Sequence, residues 1–171
     1  KCILELLKDR SIQNLLDLGT GAGRILRTIA PFVVKGTGID NSLEMLSIAR
    51  ARLDQDGIKN CQVRVGDMYR LPFKQNSFDL ITINSLLRYA EEPKKVIAEA
   101  ARVLEKKGAL LIVDLAAHDL SALRDEYGHS WLGFSEAEMV EMLSEENLTV
   151  DRVKHIDGQK LSVCIWLASG S

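Results

Sequence analysis

A short stretch near the amino terminus has the residue types of a ligand-binding turn. The apolar segment 14–18 runs into three alternating glycines, Gly19, Gly21 and Gly23, and the residues that follow have helical spacing. Glycines at a strand end let the backbone turn sharply and lie close to a ligand, and the first N–H groups of a following helix point outward. The sequence therefore predicts a glycine-rich turn against a bound small molecule.

Polar residues also end the next three predicted strands. Asp40, Asp67 and Asn84 each follow an apolar or alternating segment. Singly, these residues have structural explanations, because Asp40, Asn41 and Ser42 can cap a helix and Asp67 can cap a turn. Jointly they indicate a pocket, because ligands of open α/β sheets bind outside the carboxyl ends of the strands.

The two acids suit a nucleoside. A ribose diol offers two donors that one carboxylate such as Asp40 can accept, and the exocyclic amine of adenine is a donor suited to Asp67. Asp40 would equally suit the ribose of NAD. However, Arg24 stands where the dinucleotide fingerprint Gly-x-Gly-x-x-Gly needs a small residue, which disfavours a dehydrogenase.

Alternating strand and helix patterns position these residues. The pattern predicts a doubly wound α/β sheet that ends in an antiparallel hairpin around Asp157-Gly158. Asn41 and Glu44 have the spacing of a capping box, and Lys106-Lys107-Gly108 is typical of a helix end. Segment 116–133 has no clear period and is expected to be a loop that serves the site. The predicted strands are 14–18, 33–39, 61–65, 78–84, 109–115, 149–156 and 161–167. Residues 2–8 are expected to be the end of a helix, and further predicted helices begin at Arg24, Asn41, Pro93 and Ser135.

Composition narrows the class of protein. The chain has 171 residues, 46% hydrophobic and 27% charged, with a net charge of −2. These values indicate one globular domain, residues 1–171, without the basic surface of a nucleic-acid-binding protein or the roughly 20 apolar residues of a membrane span. Three scattered cysteines fit reduced thiols in the cytoplasm, and no residue cluster has the spacing of a metal site, so we expect no metal. Because Lys1 is not an initiator, we expect N-terminal residues or an N-terminal domain to be missing.

The glycine stretch resembles the acidic-x-Gly-x-Gly-x-Gly signature of class I S-adenosylmethionine-dependent methyltransferases. The resemblance covers most of the chain, through Asp17-Leu18-Gly19-Thr20-Gly21-Ala22-Gly23, Gly36-x-Gly38-x-Asp40-x-Ser42-x-x-Met45, Gly66-Asp67, Leu71-Pro72-Phe73 and Phe78-Asp79.

This resemblance implies a Rossmann-like seven-stranded sheet, S-adenosylmethionine as cofactor and S-adenosylhomocysteine as product. It implies that Asp17 helps to hold the glycine turn and the ammonium group, that Asp40 accepts hydrogen bonds from the ribose, and that Asp67 binds the adenine amine with Met68 beside it. The implied cofactor-binding residues are Asp17, Gly19, Thr20, Gly21, Gly23, Asp40, Asn41, Met45, Gly66, Asp67, Met68 and Asn84.

A narrower resemblance covers segment 114–134. Asp114-x-x-x-His118-Asp119-x-x-x-Leu123-Arg124 and Gly128-His129-x-Trp131-Leu132-Gly133-Phe134 resemble the methyltransferase-like domain that follows an ArsR-type winged-helix regulator in bacterial fusion proteins. The sequence contains no helix-turn-helix segment, so the resemblance does not carry DNA binding over to this chain.

Four residues are candidates for acting on the methyl acceptor: His118, His129, Asn84 and Tyr89. Histidines titrate near neutral pH and can act as bases, although either ring can instead be hydrogen-bonded within the loop. Trp131 and Phe134 either wall the acceptor or close the core, and His155 is expected on the surface. The acceptor is expected to be a small molecule, because the residues after Asn84 lack the Pro-Pro-aromatic motif of DNA amino-methyltransferases and the three cysteines cannot gather for arsenite chemistry.

Two functions therefore remain open. The chain is either an enzyme that methylates a small molecule by in-line displacement, or a module that senses S-adenosylmethionine for an attached regulator without turning it over. The sequence makes no prediction of oligomeric state.

Overall fold

One sheet of seven strands runs through the computed structural model, which describes residues 1–170. The strands are β1 (Ile12–Leu18), β2 (Val33–Asp40), β3 (Cys61–Val65), β4 (Phe78–Asn84), β5 (Leu104–Leu115), β6 (Leu148–Ile156) and β7 (Val163–Gly170). Their order across the sheet is β3-β2-β1-β4-β5-β7-β6, and β7 pairs antiparallel with both β5 and β6 while the other neighbours are parallel. The prediction of a mostly parallel sheet with an antiparallel C-terminal hairpin is confirmed.

Helices cover both faces of the sheet. They are α1 (Cys2–Leu7), α2 (Arg24–Ile29), α3 (Leu43–Gln55), α4 (Pro93–Val103), α5 (Ala122–Tyr127) and α6 (Glu136–Ser144). Within residues 1–170, no helix combines the length and apolar character needed to cross a membrane.

The central strands are apolar throughout because both of their faces are buried. In β1, Leu15 belongs to the core formed with α2 and α3, whereas Leu16 belongs to the core formed with α4 and α6. The same division separates Leu80 from Ile81 in β4. Successive side chains of a strand point to opposite faces, so a strand covered on both faces reads as a continuous apolar run.

The site lies where the strand order reverses. β1 has β2 on one side and β4 on the other, and Asp17 near its end is opposite Gly38 and Thr82. The connections after these strands leave the sheet in opposite directions, which opens a crevice at the carboxyl ends. The glycine turn after β1 therefore lies at the topological switch point.

Helix α4 ends earlier than the sequence predicts. It stops at Val103, and Leu104 already pairs with Phe78 as the first residue of β5. The next pair is Leu80 with Ala109, so residues 105–108 form an irregularity rather than a helical turn. A Cβ on Gly108 would lie 2.6 Å from the side chain of Leu104, which explains the glycine there. The prediction that Lys106-Lys107-Gly108 ends the helix is wrong because Leu104 is needed in the sheet.

The cap of α3 also differs from the prediction. Ser42, not Asn41, is the N-cap residue, and its side chain accepts a hydrogen bond from the Met45 N–H at 3.2 Å. The predicted capping box of Asn41 and Glu44 is therefore wrong. This arrangement leaves Asn41 one residue before the N-cap, where it lines the crevice.

The C-terminal half contains one unpredicted element. Segment 116–133 includes α5, which has no buried residue, whereas the capping box predicted at Ser135 and Glu138 is present. The hairpin connection spans residues 157–162, and Gly158 does not have a positive φ. The Asp-Gly pair thus marks the hairpin without forming a two-residue turn.

Candidate cofactor and acceptor site

A cleft of about 380 Å³ lies beyond the carboxyl ends of β1, β2 and β3. Its wall combines acids, an amide and apolar side chains, which is the composition of a site for a small molecule with one polar and one apolar part. The lining residues are Leu18, Gly19, Ile39, Asp40, Asn41, Gly66, Asp67, Met68, Tyr69, Leu86 and Tyr89.

The glycine turn forms one side of the cleft. Gly19, Gly21 and Gly23 have φ values of 72°, 53° and 76°, a region that favours glycine. A Cβ on Gly19 would lie 2.9 Å from Leu86 Cδ2, so any larger residue would push Leu86. The turn is fixed to the next strand, because the N–H groups of Gly19 and Thr20 both donate to the carbonyl of Ile39, at 2.8 and 2.9 Å.

Asp17 holds the turn from beneath. Its carboxylate accepts hydrogen bonds from Thr20 Oγ1 at 2.6 Å and from Thr82 Oγ1 at 2.7 Å. Burial raises the pKa of Asp17 to about 6, although both hydroxyl contacts act in the opposite direction. The two threonines supply the partners that a buried carboxylate needs.

Asp40 connects the glycine turn to α3. Its Oδ2 accepts from the Gly21 N–H at 2.8 Å, and its Oδ1 accepts from the Ser42 N–H at 3.0 Å. A carboxylate oxygen has two lone pairs, so each oxygen can still accept one hydrogen bond from a ligand. The backbone contacts fix the orientation of an acid that lines the cleft.

Asp67 lines the cleft just after the end of β3. Its Oδ1 accepts from the Tyr69 N–H at 2.8 Å, and the Arg70 N–H donates to its carbonyl at 3.1 Å. Gly66 brings this turn close to β2, because a Cβ there would lie 2.9 Å from Ile39 Cγ2. The side chain is thereby oriented by its own turn.

The residues implied as cofactor ligands divide into two groups. Six of them are wall residues of the cleft: Gly19, Asp40, Asn41, Gly66, Asp67 and Met68. Tyr89, a candidate for contact with the acceptor, also lines the cleft. The others lie behind or beside the wall: Asp17, Thr20, Gly21, Gly23, Met45 and Asn84. Met45 packs near the turn, with its Cε 3.6 Å from the position of a Cβ on Gly21.

Sequence reasoning missed Leu86 and Tyr69. Leu86 follows Ser85, which has a positive φ of 56° and donates its N–H to the Val113 carbonyl at 2.7 Å. That backbone geometry directs Leu86 towards the glycine turn. An apolar residue two positions after the end of β4 was the available signal.

A cluster of polar and aromatic side chains lies next to the cleft. Arg88 pairs with the buried Asp114, with Nη1 3.3 Å from Oδ1. The guanidinium of Arg88 lies 5.4 Å from the ring centre of Tyr89, and the ring of His129 meets Tyr89 edge-on at 5.0 Å. Tyr89 therefore borders both the cleft and the cluster.

Burial governs titration in this cluster. It lowers the pKa of His129, and the nearby positive charge of Arg88 lowers it further. Burial also raises the pKa of Asp114, against the influence of Arg88 and of backbone N–H donors. At neutral pH His129 is consequently an uncharged ring that can act as a hydrogen-bond donor or acceptor.

The tautomer of His118 follows from one contact. Its Nδ1 accepts the Leu120 N–H at 3.1 Å, so in the neutral ring the proton is on Nε2. Nε2 is buried and has no partner. His118 therefore presents a donor rather than a base.

Trp131 and Phe134 belong to the packing of the loop. Phe134 is fully buried, and the two rings stack at 5.7 Å. The indole N–H of Trp131 donates to the Ala90 carbonyl at 3.0 Å. Of the two interpretations for this pair, the structure favours core closure. His155 is exposed on β6, as expected.

Comparison with known proteins identifies the family. Residues 9–162 match a family described as a methyltransferase domain. An uncharacterized methyltransferase of Bacillus subtilis, YcgJ, is 32% identical over 120 residues, which are 70% of this chain and 47% of that protein. A demethylmenaquinone methyltransferase of Thermotoga maritima is 39% identical over 118 residues, 67% of this chain and 49% of that protein. The chain thus spans about half the length of these relatives.

Solved structures share the fold. The crystal structure of Bacillus subtilis YcgJ superposes with a TM-score of 0.83 at 19% identity, covering 99% of this chain and 97% of that one. A geranyl diphosphate methyltransferase in complex with S-adenosylmethionine superposes with a TM-score of 0.82 at 17% identity, covering 99% and 85%. The family match and the fold together lead to one conclusion: the chain belongs to the methyltransferase domain family.

Proposed function

We propose that this chain binds S-adenosylmethionine in the cleft and transfers its methyl group to a small-molecule acceptor, leaving S-adenosylhomocysteine. The observation that carries the proposal is the contact between Asp40 and the glycine turn. The Gly21 N–H orients the carboxylate at 2.8 Å, so this acid is held in the wall of the cleft between the glycine turn and the end of β3. A ligand that spans the cleft would meet it there.

The cleft residues suit the parts of this cofactor. Asp40 is proposed to accept hydrogen bonds from the ribose hydroxyls, and Asn41 to donate a hydrogen bond to one of them. Asp67 is proposed to accept a hydrogen bond from the adenine amine. Met68 and Leu86 are apolar wall residues for the adenine ring and the thioether chain. The glycine turn, with Asp17 beneath it, is proposed to hold the amino-acid end. When bound, the cofactor supplies a methyl group activated by a sulfonium.

The chain then contributes mainly alignment. Displacement at a methyl carbon requires the acceptor atom to lie in line with the sulfur, and positioning accounts for much of the rate enhancement in such reactions. Tyr89, Asn84, His118 and His129 are proposed to position the acceptor. Should the acceptor lose a proton, the uncharged His129 suits the role of base better than His118, whose free nitrogen carries a hydrogen.

A transfer assay tests this proposal. The chain is incubated with S-adenosylmethionine labelled in its methyl group and with fractions of a small-molecule extract. We expect label in an extracted product, and we expect the Asp40→Ala variant to show slower transfer and weaker binding of S-adenosylhomocysteine. Binding of neither S-adenosylmethionine nor S-adenosylhomocysteine in calorimetry would contradict the proposal.

A sensing module is the second candidate. It is favoured by the resemblance of segment 114–134 to the methyltransferase-like domain of regulator fusions. In that case, the cofactor would bind without turnover. Calorimetric binding of S-adenosylmethionine, no labelled product, and a cofactor-dependent change in the DNA affinity of the full-length protein would support this candidate over the enzyme.

A further inference from the structure

Three buried polar atoms with no hydrogen-bond partner lie in the cluster beside the cleft. They are Arg88 Nε, His118 Nε2 and His129 Nδ1, and only Trp166 Nε1 shares this property elsewhere in residues 1–170. A buried polar group without a partner costs about 1–3 kcal/mol, and native structures contain few of them. Three such atoms in one cluster therefore indicate a site that is completed by a bound group.

Backbone hydrogen bonds bring these residues together. The carbonyl of Arg88 accepts the N–H groups of Ser130 and Trp131, at 2.8 and 3.0 Å, and the N–H of His118 donates to the carbonyl of Leu132 at 3.0 Å. Segment 130–132 thus joins the turn after β4 to the loop after β5. His129, which directly precedes this segment, is 8% exposed and packs on Tyr89.

The chemistry of the free atoms limits what they can bind. Nε of Arg88 is always a donor, and Nε2 of His118 is a donor because its Nδ1 accepts the Leu120 N–H. The charge of Arg88 is balanced by Asp114. Two donors without net charge suit an oxygen that gains negative charge when the ligand loses a proton, rather than a phosphate or another fully ionised group.

Segment 116–133, which we call the lid, closes this cluster. Helix α5 within it contributes no buried residue, and most side chains between residues 117 and 130 are exposed. The lid is attached at its ends, where Ala116 pairs with Phe134 and Gly133 adopts a φ of 77° against the Ala116 carbonyl. It can therefore move without removing apolar side chains of α5 from the core.

We propose that the lid covers an acceptor subsite and that the acceptor carries a phenol, enol or carbonyl oxygen, which the N–H groups of Arg88 Nε and His118 Nε2 bind. This inference deepens the proposed function, because it assumes that the methyl donor occupies the cleft on the other side of Tyr89. Loss of an acidic proton from the acceptor to water leaves negative charge on this oxygen, and the two N–H groups stabilise that charge. The oxygen, or a carbon conjugated with it, then bonds to the methyl carbon while the methyl–sulfur bond breaks, and the negative charge is neutralised together with the sulfonium.

The test uses 4-nitrophenol, whose phenolate is coloured, with the whole chain saturated with S-adenosylhomocysteine. Two N–H donors favour the phenolate, so we expect the bound probe to release its proton to the buffer at a lower pH than the free probe. His118→Asn keeps an acceptor for the Leu120 N–H and removes the Nε2 donor, while Arg88→Lys keeps the charge opposite Asp114 and removes Nε. Each variant is expected to weaken phenolate binding about tenfold, and the His155→Asn control is expected to leave it unchanged.

Calorimetry with S-adenosylhomocysteine on the same samples separates the possible failures. Normal binding of S-adenosylhomocysteine with no shift in the ionisation of 4-nitrophenol would overturn the acceptor proposal alone. Equal binding of nitrobenzene and 4-nitrophenol would overturn it as well, and so would an unchanged shift in a variant that combines His118→Asn with Arg88→Lys. Tryptic cleavage at Arg124 in the lid is expected to slow when the probe is bound. An unchanged rate of cleavage would refute the proposal that the lid covers the subsite. Loss of S-adenosylhomocysteine binding by the unmodified chain would instead refute the proposed function.

Discussion

The backbone N–H of Gly21 donates a hydrogen bond to the carboxylate of Asp40 over 2.8 Å, joining the glycine turn after β1 to the acid that ends β2. Ser42 donates to the other oxygen of the same carboxylate at 3.0 Å. The acid is thus oriented before any ligand arrives, which lowers the entropic cost of binding.

Replacing Asp40 by alanine is expected to weaken S-adenosylhomocysteine binding by about 1.5–3 kcal/mol, the range for hydrogen bonds to a charged group. Asp40→Asn is expected to weaken it less, because the amide retains one acceptor oxygen. Calorimetry measures both effects. Asp54→Ala, at an exposed position of α3, is the control, and an equal loss in that variant would mean that the helix, rather than the carboxylate, is responsible.

The pKa of Asp17 predicts a stability that falls as pH rises. Because burial raises its pKa from 3.8 to about 6, the folded chain retains a proton that the unfolded chain loses in this interval. At pH values above about 6, ionisation of Asp17 lowers the free energy of unfolding by about 3 kcal/mol. Asp17→Asn removes the titration, so the difference in the free energy of unfolding between the two proteins is expected to grow in favour of the variant from pH 4 to pH 7. Urea unfolding at a series of pH values measures it, and parallel curves would exclude a raised pKa.

The same ionisation has the opposite effect on ligand binding. A charged Asp17 under the glycine turn attracts the ammonium group of S-adenosylhomocysteine, so the affinity is expected to rise through pH 6 while the stability falls. Calorimetry across this range tests the expectation in the unmodified chain. In Asp17→Asn the affinity is expected to be lower and independent of pH in the same interval.

Gly19 and Gly57 provide a matched pair of substitutions. Both have a positive φ, 72° and 66°, but a Cβ at Gly19 would meet Leu86 at 2.9 Å, whereas nothing lies within 4 Å at Gly57. Alanine at either position strains the backbone by about 1–2 kcal/mol. Only Gly19→Ala is expected to push Leu86 into the cleft and reduce binding of S-adenosylhomocysteine. Similar affinities in the two variants would show that Leu86 has room to move elsewhere.

His129 is expected to titrate below its ordinary value of 6.5, because burial and the charge of Arg88 disfavour the protonated ring. The fold then favours the neutral form, so its contribution to stability is present at neutral pH and is lost as the pH falls below the unfolded value. NMR titration of the ring protons measures the midpoint. Tyr89→Ala removes the ring that packs on His129 and is expected to move the midpoint towards 6.5.

Much of the sheet could be predicted from apolar patterns alone. The bounds of β3 and β4 agree with their predicted ranges, because turn-forming residues flank both segments. The start of β5 could not be predicted in this way, since Leu104 fits the buried stripe of α4 as well as the sheet, and only its pairing with Phe78 decides between them. The pattern of apolar residues within one segment does not show which distant residue that segment contacts.

The residues of the site also fall into those that the sequence could predict and those that it could not. The acids at the strand ends were recognisable because their residue types stand out from apolar surroundings. Leu86 and the tautomer of His118 were not, since one depends on the positive φ of Ser85 and the other on a hydrogen bond from Leu120. Both are properties of backbone geometry that residue type does not reveal.

The position of β7 has a consequence for the order in which the chain matures during translation. Strand β6 is joined to the sheet through β7, which also pairs with β5 from Ala109 to Leu115. When β5 and β6 have left the ribosome, the nascent chain therefore exposes the unpaired edge of β5 and an unattached β6. Both remain exposed until Val163–Gly170 emerges. Nascent chains stalled before Val163 should be substrates for chaperones and proteases, while those extended past Gly170 should resist both.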